Sequence, residues 1–459
     1  MKASVVSGVT GRKIRDGRSR VYFSLIVAAV AAIFSILPSP ARAVPSFARQ
    51  TGLQCAACHT AYPQLNAFGR AFKLNSYSLE GGDSKLPPLA VMAQPSFTHT
   101  RQSQPGGAAP RFADNDNPAL SQASIFYGGK IVDTLGAFSQ FTYSGVDDRF
   151  SIDNTDVRWS GTGQIRGADV IYGVTFNNNP TVEDLWNTTP AWGFPFAASD
   201  LAPGPAASTL IDGGLAQQVG GLGGYILWND LIYAQFAGYR SLSAGTQTML
   251  GVSPAGEDEV DGTMPYWRLA LQHAWGDHYL SGGTFGLIAN TYPGRDESAG
   301  TDKRRDLGLD VQYQYSGDKS DLSVLVRWVD ERANWDASTV LGNSDNRHDT
   351  LHALNATASY LYDKTYGVDV GFIRTHGTAD ATLYGSRTGS PNTDEFVVQL
   401  DYLPFNRDGG PALWQWFNPK LILQYTAYTK FDGSSDNYDG NGRDASDNNT
   451  LYAMVWLPF

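Results

Sequence analysis

Cysteine is nearly absent: Cys55 and Cys58 are the only two in 459 residues. A zinc site built on them would need two further ligands at matching spacing, and no such pair accompanies them. Basic residues are short as well. The chain holds 34 Lys and Arg against 45 Asp and Glu, a formal net charge of −11, which argues against nucleic acid as a partner. The same acidity attracts cations, although it is equally an ordinary protein surface. The apolar excess of a helical membrane protein is missing too, since the mean hydropathy is −0.27. What is plentiful is glycine, at 49 residues, and aromatic side chains, at 12%, in a chain only 17% charged. That balance suits a sheet whose two faces meet different surroundings and average out.

Residues 1–43 read as a targeting segment. Lys2, Arg12, Lys13, Arg15, Arg18 and Arg20 form a basic stretch, residues 21–37 are apolar, and Ala41-Arg42-Ala43 fits a signal-peptidase site. The run is short for a transmembrane anchor, the other reading. The basic stretch is long enough that the true start is expected downstream of Met1. Cleavage before Val44 removes seven basic residues and one acidic, leaving 27 against 44 and a net charge of −17.

The two cysteines stand in GLQCAACHT, residues 52–60, where Cys55, Cys58 and His59 spell C-x-x-C-H. That spacing predicts one covalently attached haem c. Each thiol adds across a vinyl group, and His59 follows as the proximal iron ligand. A structural or redox disulfide is the alternative for a C-x-x-C pair. The adjoining histidine, the export signal and the lack of a βαβ pattern argue against it. Downstream, Leu65, Phe68 and Phe72 are three and four apart, which would set them on one helical face against the porphyrin. The same residues would also serve to pack a small helix on a larger body. Residues 44–88, the haem segment, are too few to build a core alone.

From residue 89 to 459 the dominant period is two. Leu307, Leu309, Val311, Tyr313 and Tyr315 alternate with Gly308, Asp310, Gln312 and Gln314, and Phe396, Val398, Leu400 and Tyr402 with Val397, Gln399 and Asp401. A soluble sandwich alternates in the same way. The connections decide between them. About sixteen strands of roughly ten residues are joined by tight turns, such as Asn229-Asp230, alternating with long polar loops, such as 179–213 and 431–447. The last strand alternates Leu451, Ala453, Val455 and Leu457 and stops on Phe459, a terminal aromatic of the kind read by barrel-assembly machinery. The predicted fold is all-β: a 16-stranded antiparallel transmembrane β-barrel in the outer membrane of a Gram-negative bacterium, with both termini periplasmic. A small helical haem segment would lie inside it or cap it.

Residues 45–77, PSFARQTGLQCAACHTAYPQLNAFGRAFKLNSY, together with 177–196, resemble the fused outer-membrane cytochrome–porin family, which includes bacterial Fe(II) oxidases. The resemblance implies electron transfer across the outer membrane from an extracellular donor, Fe(II) in the characterised members, to a periplasmic carrier such as a soluble cytochrome. It places Cys55 and Cys58 at the thioether positions and His59 as proximal ligand. It fixes no iron-binding residue. An electron conduit with another donor or direction, and a solute porin with a haem plug, are the alternatives.

A second axial ligand is expected from the first strand, LAVMAQPSFTHT. Counting by twos puts Met92 with Gln94, Ser96 and Thr98 on the lumenal face, and His99 with Val91 and Phe97 on the lipid face. Met92 is therefore the expected distal ligand, the alternative being that it only packs under the haem segment. Arg70 and Lys73 are placed either on the haem propionates or, more commonly for such residues, in solvent. The acidic loops 256–261, 342–349 and 431–449 suit hard cations but are expected to be solvated. The apolar loop 179–213, with Trp186, Trp192, Phe194 and Phe196, is expected to fold into the barrel mouth.

Overall fold

A computed structural model describes residues 46–82, 87–406 and 417–459. The targeting segment 1–43 lies outside the described residues. The described chain enters as three short helices, α1 (Ser46–Thr51), α2 (Cys55–Cys58) and α3 (Ala67–Leu74), and its first strand begins at Leu89, with only short helical turns in the later loops.

Sixteen long strands form one antiparallel sheet in chain order. A two-residue strand, Glu259–Val260, only extends the edge line beside Thr291 and Tyr292. The sheet closes on itself. The first strand, Leu89–Thr100, pairs with Asn117–Val132 on one side and with the last strand, Thr450–Pro458, on the other, so Met92 lies opposite both Ser124 and Pro458. Closure leaves no unpaired edge, which is the condition for a sheet to stand in lipid.

The period of two becomes a two-faced wall. Across Asp302–Ser316, Leu307, Leu309 and Val311 are exposed outward, while Gly308, Asp310 and Gln312 are buried. Leu222 and Phe236 are each 62% exposed on the outside. At about 25 cal/mol per Å² of apolar surface, a face of this kind is costly in water and favourable in hydrocarbon.

Tight turns gather at one end. Asn229 and Asp230, and likewise Asp363 and Lys364, sit at φ near +50°, the backbone of the two-residue hairpin turn that matches strand twist. Two connections depart from the expected alternation. Residues 145–148 make a short link at the long-loop end, and 403–419 make a long one at the short-turn end. Some strands also run past ten residues, Asp302–Ser316 and Ser320–Asn334 among them.

The lumen is not an empty pore. Residues 46–82 lie within it, with Gln64 Nε2 donating to Ser359 Oγ at 3.0 Å and Tyr77 Oη to Asp156 Oδ2 at 2.6 Å. From the other end, residues 178–218 turn inward and bury Leu185 and Trp186, whose indole N–H donates to Tyr279 Oη at 2.6 Å. The two insertions meet: Lys73 Nζ donates to the carbonyls of Val182 and Asp184, both at 2.7 Å. The inward fold of the apolar loop agrees with its sequence.

Candidate functional site

The C-x-x-C stretch forms a single helical turn. α2 puts Cys55 and Cys58 three residues apart, and the chain then leaves the helix at His59 (φ −124°, ψ 141°), whose N–H donates to Cys55 O at 2.9 Å. Asn66 ties this turn to α3. Its side chain accepts from Gly69 N as the α3 cap, and donates to the carbonyls of Ala56 (3.4 Å) and Ala57 (3.0 Å). The helices then cross at Gly69, where a Cβ would stand 2.2 Å from Cys58 O. Only glycine allows that approach.

The turn opens onto a cavity of about 580 Å³ inside the barrel, within the range of small-molecule and cofactor sites. Cys55, Cys58 and His59 all line it. Aromatic rings make much of its wall. Phe47 stands edge-on to Phe72 at 5.0 Å and stacks on Tyr77 at 5.5 Å; Tyr62 meets Trp456 edge-on at 5.7 Å; Phe138 lies 5.8 Å from Phe126 and from Trp192. Along the last strand the lining runs from Tyr452 to Pro458, about 20 Å of strand.

The protonation states are those of a dry site. Burial pushes the Cys58 thiol up to about 12, with the neighbouring Cys55 adding to the effect, and raises Cys55 as well. Such thiols are neutral and poor nucleophiles, unlike the low-pKa cysteines of thiol oxidoreductases. Burial also lowers the His59 imidazole to about 4. The backbone of Pro63 and Gln64 offsets this in part, yet Nδ1 is buried with no hydrogen-bond partner. A neutral imidazole with an orphaned ring nitrogen, beside two neutral thiols and an aromatic cavity, fits the residue set that holds a haem c.

Met92 is on the lumenal face, 6% exposed, and lines the same cavity. Gln94 Nε2 approaches its sulfur at 3.5 Å. No other methionine lines the cavity among the described residues. His99 is outside, its Nδ1 within 2.7 Å of Asp116 Oδ1.

Two expectations are corrected. Phe72 lines the cavity, but Phe68 does not and is 39% exposed. The lining positions of α3 are Gly69, Phe72 and Lys73, and Phe68 is turned about 100° from Gly69 around the helix. Arg70 and Lys73 are not solvated charges. Both are buried, Arg70 donating to Leu65 O, Gln312 and Gln314 while its guanidinium lies 3.6 Å over the Tyr279 ring. The sequence reading did not single out Trp456, which lines the cavity, or the buried pair Arg158–Asp156 beside Lys73. Charged residues at inward positions of the period-two pattern were the available signal. In the 431–449 loop, Asn437 and Asp439 accept backbone N–H groups of their own turn, and no metal-binding cluster of His, Cys, Asp and Glu occurs among the described residues.

The wall is that of a porin-like outer-membrane barrel: even-stranded, closed, apolar outside and polar within. No family model matches the sequence, and no curated protein matches it. Solved structures similar to it include an anion-selective porin from Comamonas acidovorans (12% identity, 80% of this chain and 97% of that one, TM-score 0.45), OmpT of Vibrio cholerae (10%, 82% and 99%, 0.40) and Salmonella typhi OmpF in complex with daunomycin (11%, 81% and 97%, 0.41). At these values the likeness carries nothing about the site.

Proposed function

We propose that this chain carries one covalent haem c inside an outer-membrane barrel. It would pass electrons from an extracellular donor, Fe(II) first among the choices, to a periplasmic carrier such as a soluble cytochrome. The observation that carries this reading is that the only two cysteines and the histidine beside them open together onto one large, aromatic-lined cavity within the barrel. The resemblance of residues 45–77 to the cytochrome–porin family points the same way.

Cys55 and Cys58 would hold the haem by thioethers. In that attachment each S–H bond would add across one vinyl group, sulfur to one carbon and hydrogen to the other, so no oxidant would be consumed. His59 would ligate the iron and Met92 is the proposed second ligand, a thioether that raises the reduction potential. When bound, the haem supplies a one-electron relay. The aromatic wall keeps water from it. The cavity's length along the last strand bears on how one relay serves both sides of a bilayer about 30 Å thick. A donor at the inward-folded loop and an acceptor at the short-turn end would each need to cross only part of that distance. We assign the short turns and both chain ends to the periplasm, as in other barrels of this architecture.

The barrel's size favours one other reading, a solute porin with a haem plug. Residues 46–82 and 178–218, which fill much of the lumen, weigh against it. Two measurements on the purified full-length protein separate the readings. Haem should stay with the denatured polypeptide, and anaerobic stopped-flow mixing with Fe²⁺ should reduce it, with His59→Ala failing to do so. Absence of protein-bound haem sinks the proposal. Haem that Fe²⁺ leaves oxidised moves it to another donor, and liposome swelling by sugars with the plug intact favours the porin.

A further inference from the structure

Lys73 is the only Lys or Arg among the described residues lining the cavity, whereas Asp153, Asp184 and Asp200 supply its acids. It is 6% exposed. An ammonium has three donors; two are engaged by the carbonyls of Val182 and Asp184, and Nζ also lies 5.1 Å from the centre of the Trp192 ring. Among the described residues no carboxylate lies within ion-pairing distance of it.

The neighbouring acids are already committed. Asp156 pairs with Arg158 at 2.6 Å. Asp184 faces Arg268 at 3.5 Å and accepts the N–H groups of Trp186, Thr188 and Thr189. Glu183 accepts from Asn177 and from Tyr239. A buried cation with no anion of its own is unfavourable, and Arg158 adds like charge beside it. Arg70 is also buried and keeps an unpartnered Nη2, but it does not line the cavity; its Nη1 donates to two glutamines and a carbonyl, and its guanidinium lies over a tyrosine ring. Among the described residues the cavity thus has one Lys or Arg, and it lacks a negative partner.

We propose that Lys73 receives a carboxylate of the cavity's ligand, a haem propionate, and so holds the propionate side of a tetrapyrrole whose attachment is set by Cys55 and Cys58. This assignment rests on the haem reading above. It makes Lys73 a positioning residue that also raises the reduction potential, because a fixed positive charge beside the haem favours the reduced form.

The test compares full-length holoprotein with Lys73→Gln and Lys73→Arg. Glutamine keeps a donor for the two carbonyls and loses the charge; arginine keeps the charge and changes the donor. Redox titration should show a lower potential for Lys73→Gln and a near-native one for Lys73→Arg, and the resonance Raman propionate-bending bands should move in both. A potential that ignores the charge, or propionate bands identical in wild type and Lys73→Arg, overturns the assignment. The second criterion stands alone where Lys73→Gln does not fold. Wild-type protein without covalent haem would instead sink the functional reading on which this one rests.

Discussion

The lumen has two sides of different chemistry. From Asp156 round to Asp401 the inner wall carries buried ion pairs: Arg158–Asp156 and Lys420–Asp401 at 2.6 Å, Arg268–Asp310 and Arg304–Glu331 at 2.7 Å. The strands Leu89–Thr100, Asn117–Val132, Leu135–Ser144 and Thr450–Pro458 contribute no buried ion pair among the described residues. They present Met92, Phe126, Phe138 and Trp456 instead. The charged side is the filled side. Its acids hold the inward loop by the backbone, Glu331 accepting from Leu210 N and Asp306 from Ile211 N, both at 2.7 Å. The apolar side is where the cavity was left. Charge in this barrel anchors the inward loop, and the cavity borders the strands that carry no buried ion pair.

The contrast can be broken most severely by removing what the charged side anchors. Replacing residues 181–212 by a short Gly/Ser linker should open the filled half of the lumen. Planar-bilayer conductance should rise from nearly closed to the level of an open porin, and the haem should become reducible by small agents in solution. Unchanged conductance would mean that the N-terminal segment alone closes the pore.

Next in size is a strike at one anchor. Arg268 and Asp310 are almost fully buried, so Arg268→Ala leaves an acid without its partner. Truncations of this kind cost about 3–5 kcal/mol, to be read from urea unfolding in lipid vesicles. On the apolar side Met92→Ala removes a side chain that already borders open space, so the stability cost should fall at or below the ~2 kcal/mol low end for such truncations. Its main effect should be spectroscopic. Loss of the near-infrared band of a methionine-ligated haem supports ligation, and an unchanged band removes Met92 from that role.

The wall was legible in the sequence and the plug only in part, for a physical reason. Strand faces follow from a period of two that each strand carries locally, so the inward and outward sets around Leu307 and Asp310 could be read directly. Strand ends could not, because turn residues mark a reversal without marking its height, and the link at 403–419 has no local signal against its length. In the plug, C-x-x-C-H announces its chemistry and Met92 could be placed by counting. Phe68 and Phe72 look alike, and which one faces the cavity is decided by Gly69 meeting Cys58. The sequence left Arg70 and Lys73 between the haem propionates and solvent, because the partners that bury them, Gln312, Gln314, Val182 and Asp184, are more than a hundred residues away.

The mildest test asks whether Lys73 belongs to the open side or to the anchored one. Burial holds its ammonium down to about 7, with Arg158 adding to the effect and Asp156, Asp184 and Glu183 opposing it. In the unfolded chain the same group keeps its proton up to about 10.4. Between these values the unfolded state binds more protons than the folded one, so stability should rise with pH from about 7 to about 10.4, by at most about 1.4 kcal/mol per pH unit. Below 7 both states are protonated and this group contributes no slope. In the haem-free Cys55→Ser/Cys58→Ser double variant the rise should be present and should vanish on adding Lys73→Met. In the haem-loaded protein it should shrink, because a propionate beside the ammonium restores the charged form. Equal slopes with and without haem would place Lys73 among the anchors, holding the loop carbonyls and nothing more.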